Sequence, residues 1–262
     1  MNVLMNKSQI LRSRHDILFL FIKLQYISAV SCKDYDLDVP CTDVPKCDSV
    51  EKTHYATLKN FVNMTDGAAA QKTKVSICFV ERDSLGYAFK VHTIADDIDV
   101  FSPYTKCNSQ VWVNSDVLEV FMAPTATPFD APEWYYEMDT SPSNAVWVGH
   151  KNNSLGNWSN CNHQDDHCVE GPIECNGLDH FEMFPNLIAK AHNITGTGWG
   201  VDLTVPFKMF PPEYQQSKIW RANFYRYDYP KGRDQYELSG WSPTECGSFH
   251  VPKRFGVLIL EE

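Results

Sequence analysis

Two acidic side chains stand inside short apolar segments, where an unpaired carboxylate is costly: Glu119 in VLEVFMA and Glu137 in EWYYEMD. If the two segments are neighbouring strands, a carboxyl pair about 5 to 9.5 Å apart has the components of a glycosidase, one group acting as acid and the other as base or nucleophile. Carboxylates in such a place also serve as fixed acceptors for sugar hydroxyls. A second chemistry-bearing stretch, CNHQDDHC, gathers Cys161, His163, His167 and Cys168, donor types that suit zinc. The spacing through Cys175 matches no zinc motif, so disulfides with surface histidines are the reading adopted. Met122 or Met138 with His250 offers the axial ligand types of haem. That reading ranks lower, since methionines in a core and histidines in turns are common. A nucleophile elbow of the G-x-S-x-G type is absent from the sequence.

The segments that must position these groups are short and β-prone. TKVSICFV, YAFKVHTI, VLEVFMA, EWYYEMD, NAVWVGH, GWGVDLTV, KIWRANFYRY and FGVLIL follow one another, separated by Pro, Gly, Asn and Asp clusters. This pattern predicts an antiparallel all-β sandwich. Helix is expected only at 184–193, for two or three turns, and at 206–214, for one turn stopped by its own prolines. Residues 149–180 read as a long Cys/His-rich insertion loop held by Cys161, Cys168 and Cys175.

Alternation splits each strand into two faces. In KIWRANFYRY, Trp220, Ala222 and Phe224 share one face; Arg221, Asn223, Tyr225 and Tyr227 share the other. In EWYYEMD, Trp134, Tyr136 and Met138 oppose Tyr135, Glu137 and Asp139. The first set suits a core. The second combines flat rings with hydrogen-bonding groups, which a neutral polyol ligand requires and which a solvated sheet face also displays.

A chain of 262 residues, 43% hydrophobic and 21% charged, is large enough for one sizeable core. Its formal charge of −10 and the lack of any basic run argue against nucleic acid and anionic membrane as partners. Lys7, Arg12 and Arg14 precede the apolar ILFLFI and the small residues Ala29 and Ser31, so residues 1–31 are expected to be a secretory signal. Four bases and one acid lie within it; its removal takes the charge from −10 to −13. Nine cysteines and sequons at Asn63, Asn152, Asn157 and Asn193 agree with export to an oxidising compartment. Nine is odd, so one thiol stays free or pairs between chains. No run of 18 apolar residues is present to form an ordinary span. The organisation expected is a Cys-rich N-terminal extension at 32–72 followed by one β-sandwich domain at 73–262.

The order of motifs resembles the family 9 carbohydrate-binding modules. Those motifs are VWVNSDVLEVFMAP with Trp112, Asp116 and Glu119, then WYYEMDTSP, GWGVDLTVPF and WRANFYR, and last WSPTECGSFHVPKRFGVLIL. The likeness covers about residues 73 to 260, and the last two blocks are its specific part. It implies a jelly-roll sandwich in which Trp112 and Phe249 wall a slot for a sugar ring. Glu119 would accept its hydroxyls, with Glu137 and Asn223 alongside. It further implies noncatalytic binding of a polysaccharide or oligosaccharide in support of carbohydrate catabolism, with no cofactor beyond structural calcium. Asp96, Asp97 and Asp99 of ADDIDV are the oxygen donors available for that ion. Tight sugar binders of the family carry Trp in the closing loop and a basic residue in the Tyr-rich strand; Phe249 and Glu137 stand there in this chain.

Overall fold

A computed structural model describes residues 30–47, 54–82, 86–152, 169–172, 175–176, 180–181, 184, 186–230 and 236–261. Along the chain the strands are β1 (Cys41–Val44), β2 (Ala56–Leu58), β3 (Val62–Asn63), β4 (Thr73–Arg82) and β5 (Gly86–Asp96). Then come β6 (Val117–Pro124), β7 (Trp134–Thr140), β8 (Val146–Asn152), β9 (Val169–Pro172), β10 (Cys175–Asn176) and β11 (His180–Phe181). The last are β12 (Ile188–Ile194), β13 (Gly198–Pro206), β14 (Ile219–Asp228), β15 (Glu237–Gly240) and β16 (Gly256–Leu260).

They form two facing sheets and a small ribbon, the β-sandwich that alternation predicts. The larger sheet runs β1-β16-β14-β6-β7-β8-β9, with β15 on β14 and β3 on β15. The smaller runs β12-β13-β5-β4-β2, and β10 pairs β11. Strand β14 is long enough to use one edge twice, pairing β16 through residues 219–222 and β15 through residues 225–228. Between those two contacts the chain leaves as the closing loop, residues 241–255.

The apolar faces meet between the sheets. Leu118, Val120, Met122, Met138, Val148, Trp220, Phe224 and Leu258 pack against Ile77, Phe89, Val91, Trp199, Val201 and Leu203, all in one cluster. Each large side chain removed from water here stabilises the fold by about 1.5–3 kcal/mol. All eight segments read as strands from the sequence are strands, and the predicted core face of β14 is the one that packs between the sheets.

The two helix expectations fare differently. Residues 188–194 form edge strand β12, paired along its whole length with β13. Ala189 is buried while its neighbours Ile188 and Lys190 are exposed, a period of two that a helical reading of LIAKAHN overlooks. Residues 206–214 do hold short turns, a 3-10 turn at Phe207–Met209 and another at Pro212–Tyr214.

The N-terminal segment joins both sheets. β1 runs parallel to β16, β2 pairs β4 and β3 pairs β15, while Val44, Leu58 and Phe61 enter the main core. Disulfides Cys32–Cys41 and Cys47–Cys78 fix it, the second binding it to β4. Cys107 and Cys246 are disulfide-bonded as well. Among the described residues, no helix is long and apolar enough to cross a membrane. The leader, Asn157 and the Cys161–Cys168 stretch with His163 and His167 lie outside the described residues.

Candidate functional site

The outer face of the larger sheet carries the chemistry. Register places Tyr225 of β14, Glu119 of β6, Asp139 of β7 and Trp147 of β8 in one row across four strands. The next row is Asn223, Phe121, Glu137 and Gly149. Two carboxyl groups thus lie between a tyrosine and a tryptophan, with a third beside them. Gly149 is required by this arrangement: a Cβ there would fall 2.0 Å from the Trp147 ring, which lies over it. The ring continues towards Lys151, whose Nζ stands 4.8 Å from the ring centre.

Glu119, Glu137 and Asp139 are 3%, 4% and 0% exposed, and one oxygen of each lies within 4.8 Å of the others. One cation faces them closely, Lys151, with Nζ 2.9 Å from Glu137 Oε2. His250 Nε2 stands 3.9 Å from the same oxygen, and its Nδ1 shares a 2.7 Å hydrogen bond with the Tyr135 hydroxyl. Burial raises all three carboxyls. Glu119 and Asp139 are held well above the usual carboxylate range, first by desolvation and then by their acidic neighbours. Glu137 is raised by burial too, against the opposing pull of Lys151. Lys151 thus offsets Glu137 directly, while Glu119 and Asp139 hold their protons more tightly than exposed carboxyl groups do. Neither oxygen of Asp139 meets a hydrogen-bond donor among the described residues, which adds to the cost of its charged form.

The closing loop covers this face from one side. Phe249 stacks on Tyr225 with ring centres 4.1 Å apart and planes 5° from parallel. It is 4% exposed, so its ring lies beneath the surface rather than standing as a free wall. Asn223 anchors the loop: its Nδ2 donates to the Tyr225 hydroxyl at 2.7 Å and to the Ser242 carbonyl at 2.8 Å, and its Oδ1 accepts from the backbone N–H of Phe224 and Ser242. The Tyr225 hydroxyl in turn donates to the Phe249 carbonyl at 2.9 Å. Asn223 thus has its hydrogen-bonding capacity filled within the chain. Trp241 lies over Gly256, where a Cβ would approach its ring to 2.3 Å.

From the other side comes the loop before β6. Trp112 is half-buried and packs edge-on against Trp147, ring centres 5.2 Å apart. Tyr104 donates its hydroxyl proton to the Val113 carbonyl and holds that loop. Tyr227 is common to both sides: it packs on the cluster of Val111, Val117 and Trp147, and its ring centre is 5.1 Å from Phe249. Phe249 thus packs at the β14 end of the row containing Glu119, and Trp112 at its β8 end. Lys151 is the functional group that sequence reading missed. Extending the alternation Trp147, Gly149 by one step reaches it.

Of the aspartates considered for calcium, Asp96 is exposed at the end of β5, and Asp97 Oδ1 accepts from the backbone N–H of Asp99 at 2.9 Å. Asp97 groups instead with Asp116 and Asp228. The fully buried Arg226 already takes up that group, 3.1 Å from Asp228 and 3.4 Å from Asp97. Both oxygens of Asp116 accept backbone N–H groups, from Tyr229 and Phe101, yet burial pushes its carboxyl up to about 7. A calcium ion there would have to displace a guanidinium, which does not fit. The haem reading is corrected by geometry: Met122 and Met138 point into the core between the sheets, while His250 stacks on Phe121 at the opposite face.

No family model matches the sequence, and no curated protein matches it. In fold, the chain is similar to β-sandwich structures of carbohydrate-binding proteins. One is the crystal structure of "a putative carbohydrate-binding protein" from Bacteroides uniformis, 14% identical with a TM-score of 0.57, over 85% of this chain and 99% of that one. A family 9 carbohydrate-binding module from Caldicellulosiruptor kristjanssonii in complex with glucose aligns at TM-score 0.49 and 11% identity, over 84% of this chain and 95% of that one. Its complex with cellotriose gives 0.46 and 10%, over 84% and 93%. At 14% identity the likeness to the Bacteroides structure is one of fold alone.

Proposed function

We propose that the chain is a secreted, noncatalytic module that binds a polysaccharide or oligosaccharide on the outer face of its larger sheet, in support of carbohydrate breakdown. The observation that supports this reading is the packing of Phe249 on Tyr225 and of Trp112 on Trp147, at the two ends of the row that holds Glu119 and Asp139. Aromatic rings cover the C–H face of a sugar, and carboxyl groups fix its hydroxyls. Trp112 is the accessible wall, Phe249 with Tyr225 the packed one, and Glu119 and Glu137 the hydroxyl partners. Asn223 holds the closing loop in place. Because Glu119 and Phe249 are 3% and 4% exposed, a ligand enters by displacing the tip of that loop. The Bacteroides structure supplies an analogy of fold and no more.

Hydrolysis requires a second carboxyl group free to act as base or nucleophile beside the acid, and here Glu137 is tied to Lys151. Export through the leader, with glycans on Asn63, Asn152, Asn157 and Asn193, belongs to the same reading; among these Asn193 is exposed on β12. The test is binding and reducing-sugar release measured on one polysaccharide panel. Binding without release supports the proposal, and release abolished by Glu119→Gln overturns it.

A further inference from the structure

We propose that the outer face of the smaller sheet, on the far side of the molecule from the sugar site, carries a transition-metal site formed by His92, His192 and Asp202. Its ligand is a divalent ion of the zinc or copper type. Register brings the three together from three strands. His92 on β5 is directly opposite Asp202 on β13, and His192 on β12 is opposite Gly200, two residues along from Asp202. His92 Nδ1 lies 2.7 Å from Asp202 Oδ1, and His192 Nδ1 lies 3.7 Å from Asp202 Oδ2. The imidazoles are parallel to within 7°, centres 5.7 Å apart. One nitrogen of each ring and one carboxylate oxygen lie within 4.8 Å of one another.

Gly200 makes this possible. A Cβ at that position would come within 2.6 Å of the Thr93 carbonyl oxygen and 2.8 Å of His192 Nε2, so the glycine leaves room for the neighbouring strand and for the ring to lie across β13 towards Asp202. Glycine weakens a strand interior and marks a close approach, here of both that carbonyl and a ligand-type side chain. Two imidazoles and one carboxylate form a donor set suited to zinc or copper, with a fourth position left for water; calcium and magnesium prefer all-oxygen sets. The side chains are 36–63% exposed, so the small rotations that bring donors to about 2.0–2.1 Å from a metal are open to them. Without an ion, the same contacts amount to a surface ion pair contributing at most about 1 kcal/mol.

The other charged groups on this face are Lys190 on β12, Lys90 and Asp96 on β5, and Lys74 on β4. Lys90 donates to Thr204 Oγ1 at 2.5 Å. Metal binding requires neutral imidazoles, so protons compete with the ion for these nitrogens.

The experiment is calorimetric titration of the tag-free, full chain with zinc and copper(II) near pH 7.5, with calcium as the control. One zinc or copper site is expected, weakened about tenfold or more in His92→Gln and in His192→Gln. Copper bound to the wild type is expected to show nitrogen hyperfine structure that is reduced in each variant. Unchanged affinity and stoichiometry in both single variants would overturn the proposal, as would a wild type that binds zinc and copper no better than calcium. Sugar binding, on the other sheet, is expected to be the same in all of these proteins.

Discussion

Glu119 and Asp139 face each other across the antiparallel pair β6 and β7, both sealed from solvent, with a lysine reaching only their neighbour Glu137. Their folded-state affinity for protons is raised, so the folded chain holds protons that the unfolded chain releases. The sign follows. Their stabilising contribution is full below the ordinary carboxyl range, around pH 4, and declines as pH rises through the elevated folded values. Asp116, raised to about 7, adds to the same slope between about pH 4 and 7. Asp139→Asn removes one titration while keeping a donor towards Glu137. It is expected to raise stability at pH 8 by roughly 1–3 kcal/mol and to flatten the fall in Tm between pH 5 and 8. Urea unfolding across that range checks this.

Lys151 offers the complementary case. The residue is 7% exposed and its ammonium is 2.9 Å from Glu137, so Lys151→Met leaves a buried carboxylate without its partner. The loss expected is about 3–5 kcal/mol at pH 7.5, shrinking as pH falls, because a proton on Glu137 removes the unpaired charge. Adding Glu137→Gln should restore most of it, which a double-mutant cycle measures.

Asn223 and Phe249 act as one unit, because the Asn223 amide holds the Tyr225 hydroxyl that holds the Phe249 carbonyl. Asn223→Ala leaves the Ser242 N–H and C=O without their side-chain partner and is expected to cost about 2–4 kcal/mol. Phe249→Ala opens a cavity beside Tyr225 at a cost of about 3–5 kcal/mol. Coupling between the two in a double-mutant cycle, read by thermal unfolding, should exceed about 0.5 kcal/mol.

Strand faces were legible in the sequence because the period of two needs no knowledge of partners. Trp220, Ala222 and Phe224 fall inside, and Glu119, Glu137, Asn223 and Tyr225 fall together on the other face. What alternation does not reveal is which strands become neighbours. The direct opposition of Glu119 and Asp139, and the arrival of Lys151 from β8, are products of register. Depth was hidden for the same reason. β6 is buried at all eight positions because the closing loop and the Trp147 cluster cover its outer face, so Phe249, placed in a turn by its sequence, is packed rather than free. The chain at 188–194 was misread because Ala and Lys favour helices, whereas pairing with β13 decides its conformation.

Trp112 is the half-buried aromatic that the account makes a sugar-stacking surface, and its removal should cost little stability. Affinity of wild type and Trp112→Ala for soluble polysaccharides, measured by calorimetry with reducing ends assayed in the same samples, is the most direct test. The account predicts a loss of about 1–3 kcal/mol in binding, an unchanged fold and no release of reducing sugar. Equal affinity in the two proteins would contradict it.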